Sequence, residues 1–200
     1  QNTEPLESIS LLFRVAEGTE DPSLDAPTVV WSYLKENEWL PLEDKLLADD
    51  TQNLLKSGIV KVQIPFDANN DNTLLPKDHY WLRVSIPKKE ENLYFAFPQL
   101  IDVQAQALKA TFVDQDNDPN HLATPLPANT ISKLVKSDSA VKKISQPDDS
   151  FGGRMIEESA RFYVRVSERL RHKQRAITIW DYERLVLEAF PFLYQVKWSN

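Results

Sequence analysis

Three histidines, thirty acidic residues and no cysteine bound the chemistry this 200-residue chain could perform. His79, His121 and His172 stand far apart with no HExxH pairing, so a zinc site would have to be assembled from scattered positions. The lack of cysteine excludes disulfides, thiolate metal centres, iron–sulfur clusters and cysteine nucleophiles from this segment, and leaves the redox compartment open. No GxSxG offers a serine nucleophile at a strand-to-helix turn. The four glycines, Gly18, Gly58, Gly152 and Gly153, form neither GxGxxG nor GxxxxGK, which excludes those phosphate-cradling loops. Carboxylates are so frequent here that their pairing does not by itself suggest glycosidase chemistry.

Two acidic stretches have partial calcium-loop spacing. In 114–118, Asp114, Asp116 and Asp118 fit ligand positions one, three and five, but Pro119 replaces the glycine turn and Pro125 the bidentate acid. In 67–78, Asp67, Asn69 and Asp71 are followed by Asn72, Leu74 and Asp78, a closer but shortened match. A strand pattern precedes it where a helix belongs, so a solvated hairpin loop is the expectation.

Trp31, Tyr33, Trp39, Tyr80 and Trp81 could line a carbohydrate-binding face. Alternation argues partly against this, because neighbours Tyr80 and Trp81 must point to opposite sides and at least one ring then belongs to a core.

The densest local feature is basic: Arg161, Arg165, Arg169, Arg171, Lys173 and Arg175 fall within fifteen residues. A DNA-reading helix-turn-helix would place contacts at the start of its second helix, yet that start, residues 178–183, carries Asp181, Glu183 and large apolar groups. Cations near a helix C-terminus favour the dipole and pair with nearby acids such as Glu168, Asp181 or Glu183. A packed hairpin whose arginines also hold a neighbouring domain or subunit through carboxylates is the preferred reading.

The elements that position these residues follow from periodicity. Runs at 8–15, 28–34, 58–66 and 79–87, with Asn37 in a turn before Glu38-Trp39-Leu40 and Pro41, predict short strands at the spacing of a β-sandwich or barrel. Residues 100–113 continue the β pattern, with a helical alternative over 105–110, and 130–135 and 140–144 suggest two more strands. Ile156, Ala160, Tyr163, Val166 and Leu170 form the stripe of an amphipathic helix. Thr178 with Asp181 predicts an aspartate variant of the capping box for a second helix, with Tyr182, Leu185, Val186 and Ala189 as its apolar face and Pro191 as its stop. Tyr194, Val196 and Trp198 alternate like the beginning of a strand. The expected fold is α+β: a β-sandwich-like domain over 1–99, then an α+β segment over 100–200 with helices near 156–173 and 179–190.

Composition agrees with a folded chain: 42% of residues are hydrophobic, 10% aromatic and 26% charged, enough for one compact domain or two small ones. No run approaches the roughly 18 apolar residues of a membrane span. Net charge is −7, divided as +3 for residues 154–200 and −10 for 1–153, and the acidic bulk argues against nucleic acid. The chain opens on Gln1 and its only methionine is Met155, which suggests a piece of a longer polypeptide.

Phe151-Gly152-Gly153-Arg154, the run Phe162-Tyr163-Val164-Arg165-Val166-Ser167-Glu168-Arg169-Leu170-Arg171-His172-Lys173, and Arg175-Ala176-Ile177-Thr178-Ile179-Trp180-Asp181-Tyr182-Glu183-Arg184-Leu185 continuing to Pro191 resemble the baseplate J-like family. These are baseplate wedge proteins of contractile phage tails and of extracellular contractile injection systems, including the antifeeding-prophage type. The resemblance is strongest over 147–198 and looser over 28–113. It implies a structural wedge subunit without catalysis or cofactor, assembled in the cytoplasm and then part of a phage-like or extracellular particle. Implied partners are other wedge subunits, the central spike or hub, and the sheath, with no nucleic acid and no direct membrane contact. It further implies domain or subunit contacts at Arg154, Arg169, Arg171, Trp180, Asp181 and Glu183. The alternative from another class is a carbohydrate- or receptor-binding β-sandwich module, which requires Trp31, Trp39 and Trp81 to be exposed on one face.

Overall fold

Extended runs of β-branched, aromatic and other apolar residues build the N-terminal part of the chain. In the computed structural model, which describes residues 7–190 and 193–198, the strands are β1 (Ser8–Ala16), β2 (Val30–Lys35), β3 (Glu38–Pro41), β4 (Leu46–Asp49), β5 (Gly58–Gln63), β6 (Leu82–Ser85) and β7 (Gln99–Ala105). The helices α1 (Ser159–His172) and α2 (Ile179–Ala189) follow, so the fold is α+β, with every strand pair antiparallel. The chain divides into two compact units, Gln1–Phe112 and Val113–Asn200.

The first unit holds a four-stranded sheet in the order β4-β5-β1-β7 and a three-stranded sheet in the order β3-β2-β6. Val60 and Val62 of β5 are wholly buried while Lys61 between them is exposed, the two-residue period in its plain form. Both sheets feed one core: Phe13 and Val60 come from the larger, Trp31 and Tyr33 from the smaller, with Leu42, Ile64 and Ala68 from the connections. Phe13 and Trp31 meet edge to face, 5.7 Å between centroids at 83°. Central strand β2 is buried on both sides, Ser32 and Leu34 as well as the two aromatics.

Two elements of this unit were not expected from sequence. Strand β4 pairs with β5 through an irregular register between Leu46 and Ala48, and a 3₁₀ segment covers Lys88–Ala96. The β4–β5 connection is wound left-handed at three successive residues, Gln52, Asn53 and Leu54, with φ of 54°, 61° and 65°. It holds because Asp49 Oδ1 accepts from the Thr51 N–H at 2.7 Å, Asp49 Oδ2 from the Asn53 N–H at 3.2 Å, and the Thr51 hydroxyl from the Leu54 N–H at 2.8 Å. Thr51 itself is wholly buried.

The unit boundary falls after residue 112, beyond the expected division at residue 99, because β7 hydrogen-bonds to β1 along Leu11↔Ala105 to Ala16↔Gln99 and completes the larger sheet. The helical alternative for 105–110 is not realised: Gln106 has φ 62° and the segment carries no helix.

In the second unit the strands expected at 130–135 and 140–144 are absent. The stretches that do meet are 126–131 and 146–150, joined by two main-chain bonds, Asn129 N–H to the Gln146 carbonyl at 2.8 Å and Ser150 N–H to the Leu126 carbonyl at 2.9 Å, and by side-chain acceptors: the Ile131 N–H donates to Gln146 Oε1 at 3.0 Å, Ala128 N–H to Asp149 Oδ1 at 2.8 Å, and Leu126 N–H to Ser150 Oγ at 2.8 Å. Ile131, Leu134, Val135 and Val141 are exposed, so no apolar burial favours a paired sheet there. Residues 193–198 likewise form no strand, and Pro191 lies outside the described residues. No helix among the described residues is long and apolar enough to cross a membrane.

Candidate interaction site: a helical hairpin with its charges inside

The second helix begins as its sequence requires. Thr178 is extended at φ −108°, its hydroxyl accepts from the Asp181 N–H at 3.3 Å, and Asp181 Oδ2 accepts from the Thr178 N–H at 2.7 Å and the Ile177 N–H at 3.2 Å. The Thr178 N–H, backed by its hydroxyl and the Ile177 N–H, holds the Asp181 carboxyl below the usual carboxylate range against the opposing effect of burial.

The first helix ends without glycine. Lys173 and Gln174 take φ of 47° and 58°, and the Lys173 N–H closes on the Arg169 carbonyl at 2.8 Å. His172 seals the turn: its carbonyl accepts from the Arg175 N–H at 2.7 Å and its Nδ1 from the Gln174 N–H at 3.0 Å. With Nδ1 accepting, the neutral ring carries its proton on Nε2, which faces Glu188 Oε2 at 3.9 Å. The ring is 2% exposed.

Helix meets helix through charge. Arg184 Nη1 reaches Glu168 Oε1 at 3.3 Å, and Arg169 Nη1 reaches Glu188 Oε1 at 3.7 Å. At the N-terminal end of α1, Arg165 grips Glu157 through Nη2 at 2.7 Å and Nε at 3.1 Å, which lowers the Glu157 carboxyl and raises the guanidinium. The Arg171 and Arg184 guanidinium groups lie 4.2 and 5.5 Å from the Trp180 ring centroid. An open cleft of about 640 Å³ runs between the helices, lined by Val164, Arg165, Glu168, Arg184, Leu187 and Leu193 among others.

Part of each apolar stripe stays exposed, while Val166 on α1 and Leu185 and Val186 on α2 are half-buried. Of the stripe expected on α1, Tyr163 and Leu170 are each 69% exposed, and Ile156, which precedes the helix, is 79% exposed. Of the face expected on α2, Tyr182 is 50% exposed and Ala189 exposed, while Leu185 and Val186 are half-buried; Ile179, outside that face, is 59% exposed, and Asp181 is buried. Both helices are amphipathic, as expected, and ion pairs join them beside Val164 and Leu187 in the cleft.

Five of the six anticipated contact residues come together in this hairpin. Arg169 pairs with Glu188, Arg171 covers Trp180, Asp181 caps α2, and Glu183 Oε1 accepts from the Trp198 N–H at 3.1 Å. Arg154 stands apart, exposed in the segment before α1. Of the expected acid partners, Glu168 forms an ion pair, whereas Asp181 and Glu183 are taken by backbone amides. Glu157 and Glu188 were missed, although Glu188 lies four residues beyond Arg184 on one face of α2, a spacing that marks it as part of the same charged side.

The other constellations resolve structurally. Asp67 is engaged by Lys35 Nζ at 2.9 Å and the Tyr33 hydroxyl at 3.0 Å, Asn69 Oδ1 by the Glu36 N–H and Asn72 Oδ1 by the Leu75 N–H. Asp114 and Asp118 accept from nearby amides of their own loop. No three metal-ligating side chains cluster among the described residues. Trp31 belongs to the core, Trp39 lies under the Arg83 guanidinium at 4.5 Å, and Trp81 donates its indole N–H to the Pro76 carbonyl at 3.1 Å. The three tryptophans thus share no exposed face.

No curated protein matches the sequence. The sequence model of a family described as baseplate protein PVC11-like matches residues 2–200. That match spans both units and includes the hairpin, and the chain therefore belongs to the PVC11-like family of baseplate proteins, components of phage-tail-like contractile injection systems.

Proposed function

We propose that this chain is a non-enzymatic wedge component of its baseplate, and that the helical hairpin is where it meets neighbouring subunits. The observation that carries the reading is the large apolar side chains that both helices leave exposed. Tyr163, Leu170, Ile179 and Tyr182 remain in water while Glu168, Arg184 and Glu188 occupy the space between the helices. A helix that keeps a strong apolar face outward gains free energy by covering it with another protein surface. In this reading Arg169, Arg171, Trp180, Asp181 and Glu183 act through the hairpin they hold in shape, and Arg154 contacts a neighbour directly. Other wedge subunits, the central spike or hub, and the sheath are the partners, within a particle assembled in the cytoplasm.

The test is incorporation of a Tyr163→Asp/Leu170→Asp double variant into sedimented particles from the native producer. Wild-type chain is expected with tube, sheath and spike proteins. The variant is expected to keep its helical circular dichroism and to fall about tenfold or more in the particle fraction, the consequence of losing at least about 1.4 kcal/mol of contact. Incorporation at the wild-type level overturns the proposal.

A further inference from the structure

Strand β7 lies at one end of the order β4-β5-β1-β7, so one of its edges has no strand beside it among the described residues. Exposed edges are commonly kept short or guarded by proline, lysine or a bulge. The other end strands follow this rule: β3, β4 and β6 have four residues each, with Pro41 in β3, Asp49 and an irregular register in β4, and Arg83 in β6. Strand β7 runs for seven residues with neither proline nor lysine, and leaves Leu100, Ile101 and Val103 exposed by 56%, 57% and 44%. Its one guard of this kind is the register shift at Ile101, skipped between Arg14↔Asp102 and Val15↔Leu100, and it leaves Asp102 to Ala105 in regular pairing.

The direction of its main-chain groups follows from one bond. The Ser10 carbonyl accepts from the Ala107 N–H at 3.2 Å, so Ser10 turns its main chain toward β7, as Leu12 and Arg14 do by two-residue alternation. Their register partners Gln104 and Asp102 turn theirs back toward β1. Val103 and Ala105 then direct N–H and C=O away from the sheet. Hydrogen-bonding groups in that row, spaced at the pleat, are matched by the backbone of another extended chain.

Charge indicates what kind of chain. The unit Gln1–Phe112 has ten Lys+Arg against eighteen Asp+Glu, a net −8, so pairing with the same edge of a second copy would set one −8 unit against another. Within β7 itself, Asp102 Oδ2 takes both Arg14 at 3.0 Å and Gln104 Nε2 at 3.1 Å, while Oδ1 is left without a donor. We propose that the free edge of β7 is completed by an extended segment of a different polypeptide, in which apolar side chains alternate with lysine or arginine. The inference rests on the first unit and is independent of the hairpin.

Single-residue hydrogen exchange on the free chain and on sedimented particles tests it. The Val103 and Ala105 amides are expected to exchange quickly in the free chain and about a hundredfold more slowly in particles, with Asp102 and Gln104 slow in both. Equal exchange of Val103 and Ala105 in the two states overturns the proposal. So does protection that appears in the free chain as its concentration rises, because the occupant is then a second copy. Val103→Pro supplies a second measurement: proline is tolerated where the N–H faces outward, so this variant is expected to melt near wild type yet to be lost from particles. Gln104→Pro, which removes a bond to β1, is expected to melt lower.

Discussion

Arg184 on α2 and Glu168 on α1 stand 3.3 Å apart in a space that an ordinary helical hairpin fills with leucine. Both side chains are partly solvated, at 37% and 26% exposure, so the pair belongs to the weak class and its worth depends on salt. Glu168→Gln is expected to lower stability by roughly 0.2–1 kcal/mol at low ionic strength, and by less at 1 M salt. Urea denaturation of the two forms at both salt concentrations measures this. A loss that does not shrink with salt would assign the effect to packing.

The cap of α2 contributes more. Thr178→Ala removes the acceptor for the Asp181 N–H and is expected to cost about 1 kcal/mol, read as a lower denaturation midpoint with loss of helical signal.

Asp181 makes that cap sensitive to acid. Its carboxyl is held below the value it has in the unfolded chain, chiefly by the Thr178 N–H. A depressed folded-state pKa means that the stabilisation is complete above the unfolded value and disappears as pH falls through the folded one. Asp181→Asn is therefore expected to be less stable than wild type at neutral pH, with the difference closing below about pH 4. Thermal melts across that interval check it, and a difference that persists at the acid end excludes the carboxylate as its source.

How far this architecture was legible in the sequence depends on what each element relies upon. Strands β1 and β5 announce themselves because their side chains alternate over a buried face, β2, β6 and β7 by their runs of β-branched, aromatic and other apolar residues, and the capping box because its chemistry is local. Strand β4 was hidden: Leu46 to Asp49 lacks alternation and is set by its pairing with β5. The strands expected at 130–135 and 140–144 had the residue types of strands but no core to lie on. For the hairpin, periodicity located both helices but could not tell which side chains would face the partner helix. That choice rests on Glu168, Glu188 and His172, whose partners lie on the opposite helix.

Gly58 owes its identity to close approach. A Cβ at this position would stand 2.7 Å from the Asp50 carbonyl carbon and oxygen and 2.9 Å from the Thr51 nitrogen, all backbone atoms that cannot swing aside. Gly58→Ala is expected to destabilise by about 1–3 kcal/mol, the usual range for overpacking, in a urea titration followed by tryptophan fluorescence. An unchanged midpoint would mean that the loop yields without cost.

The same loop offers a stabilising substitution. Gln52 is exposed and sits at φ 54°, where an L-residue loses roughly 1–2 kcal/mol relative to right-handed backbone. Glycine escapes that penalty but gives up roughly 0.5–1 kcal/mol through the greater freedom of its unfolded chain. The difference favours glycine, so Gln52→Gly is expected to gain roughly 0.5–1 kcal/mol, while Gln52→Ala, which keeps the Cβ, is expected to leave stability nearly unchanged. Paired urea titrations of the two variants decide it. Equal midpoints would show that the bonds from Asp49 and Thr51 already offset the cost of the left-handed turn.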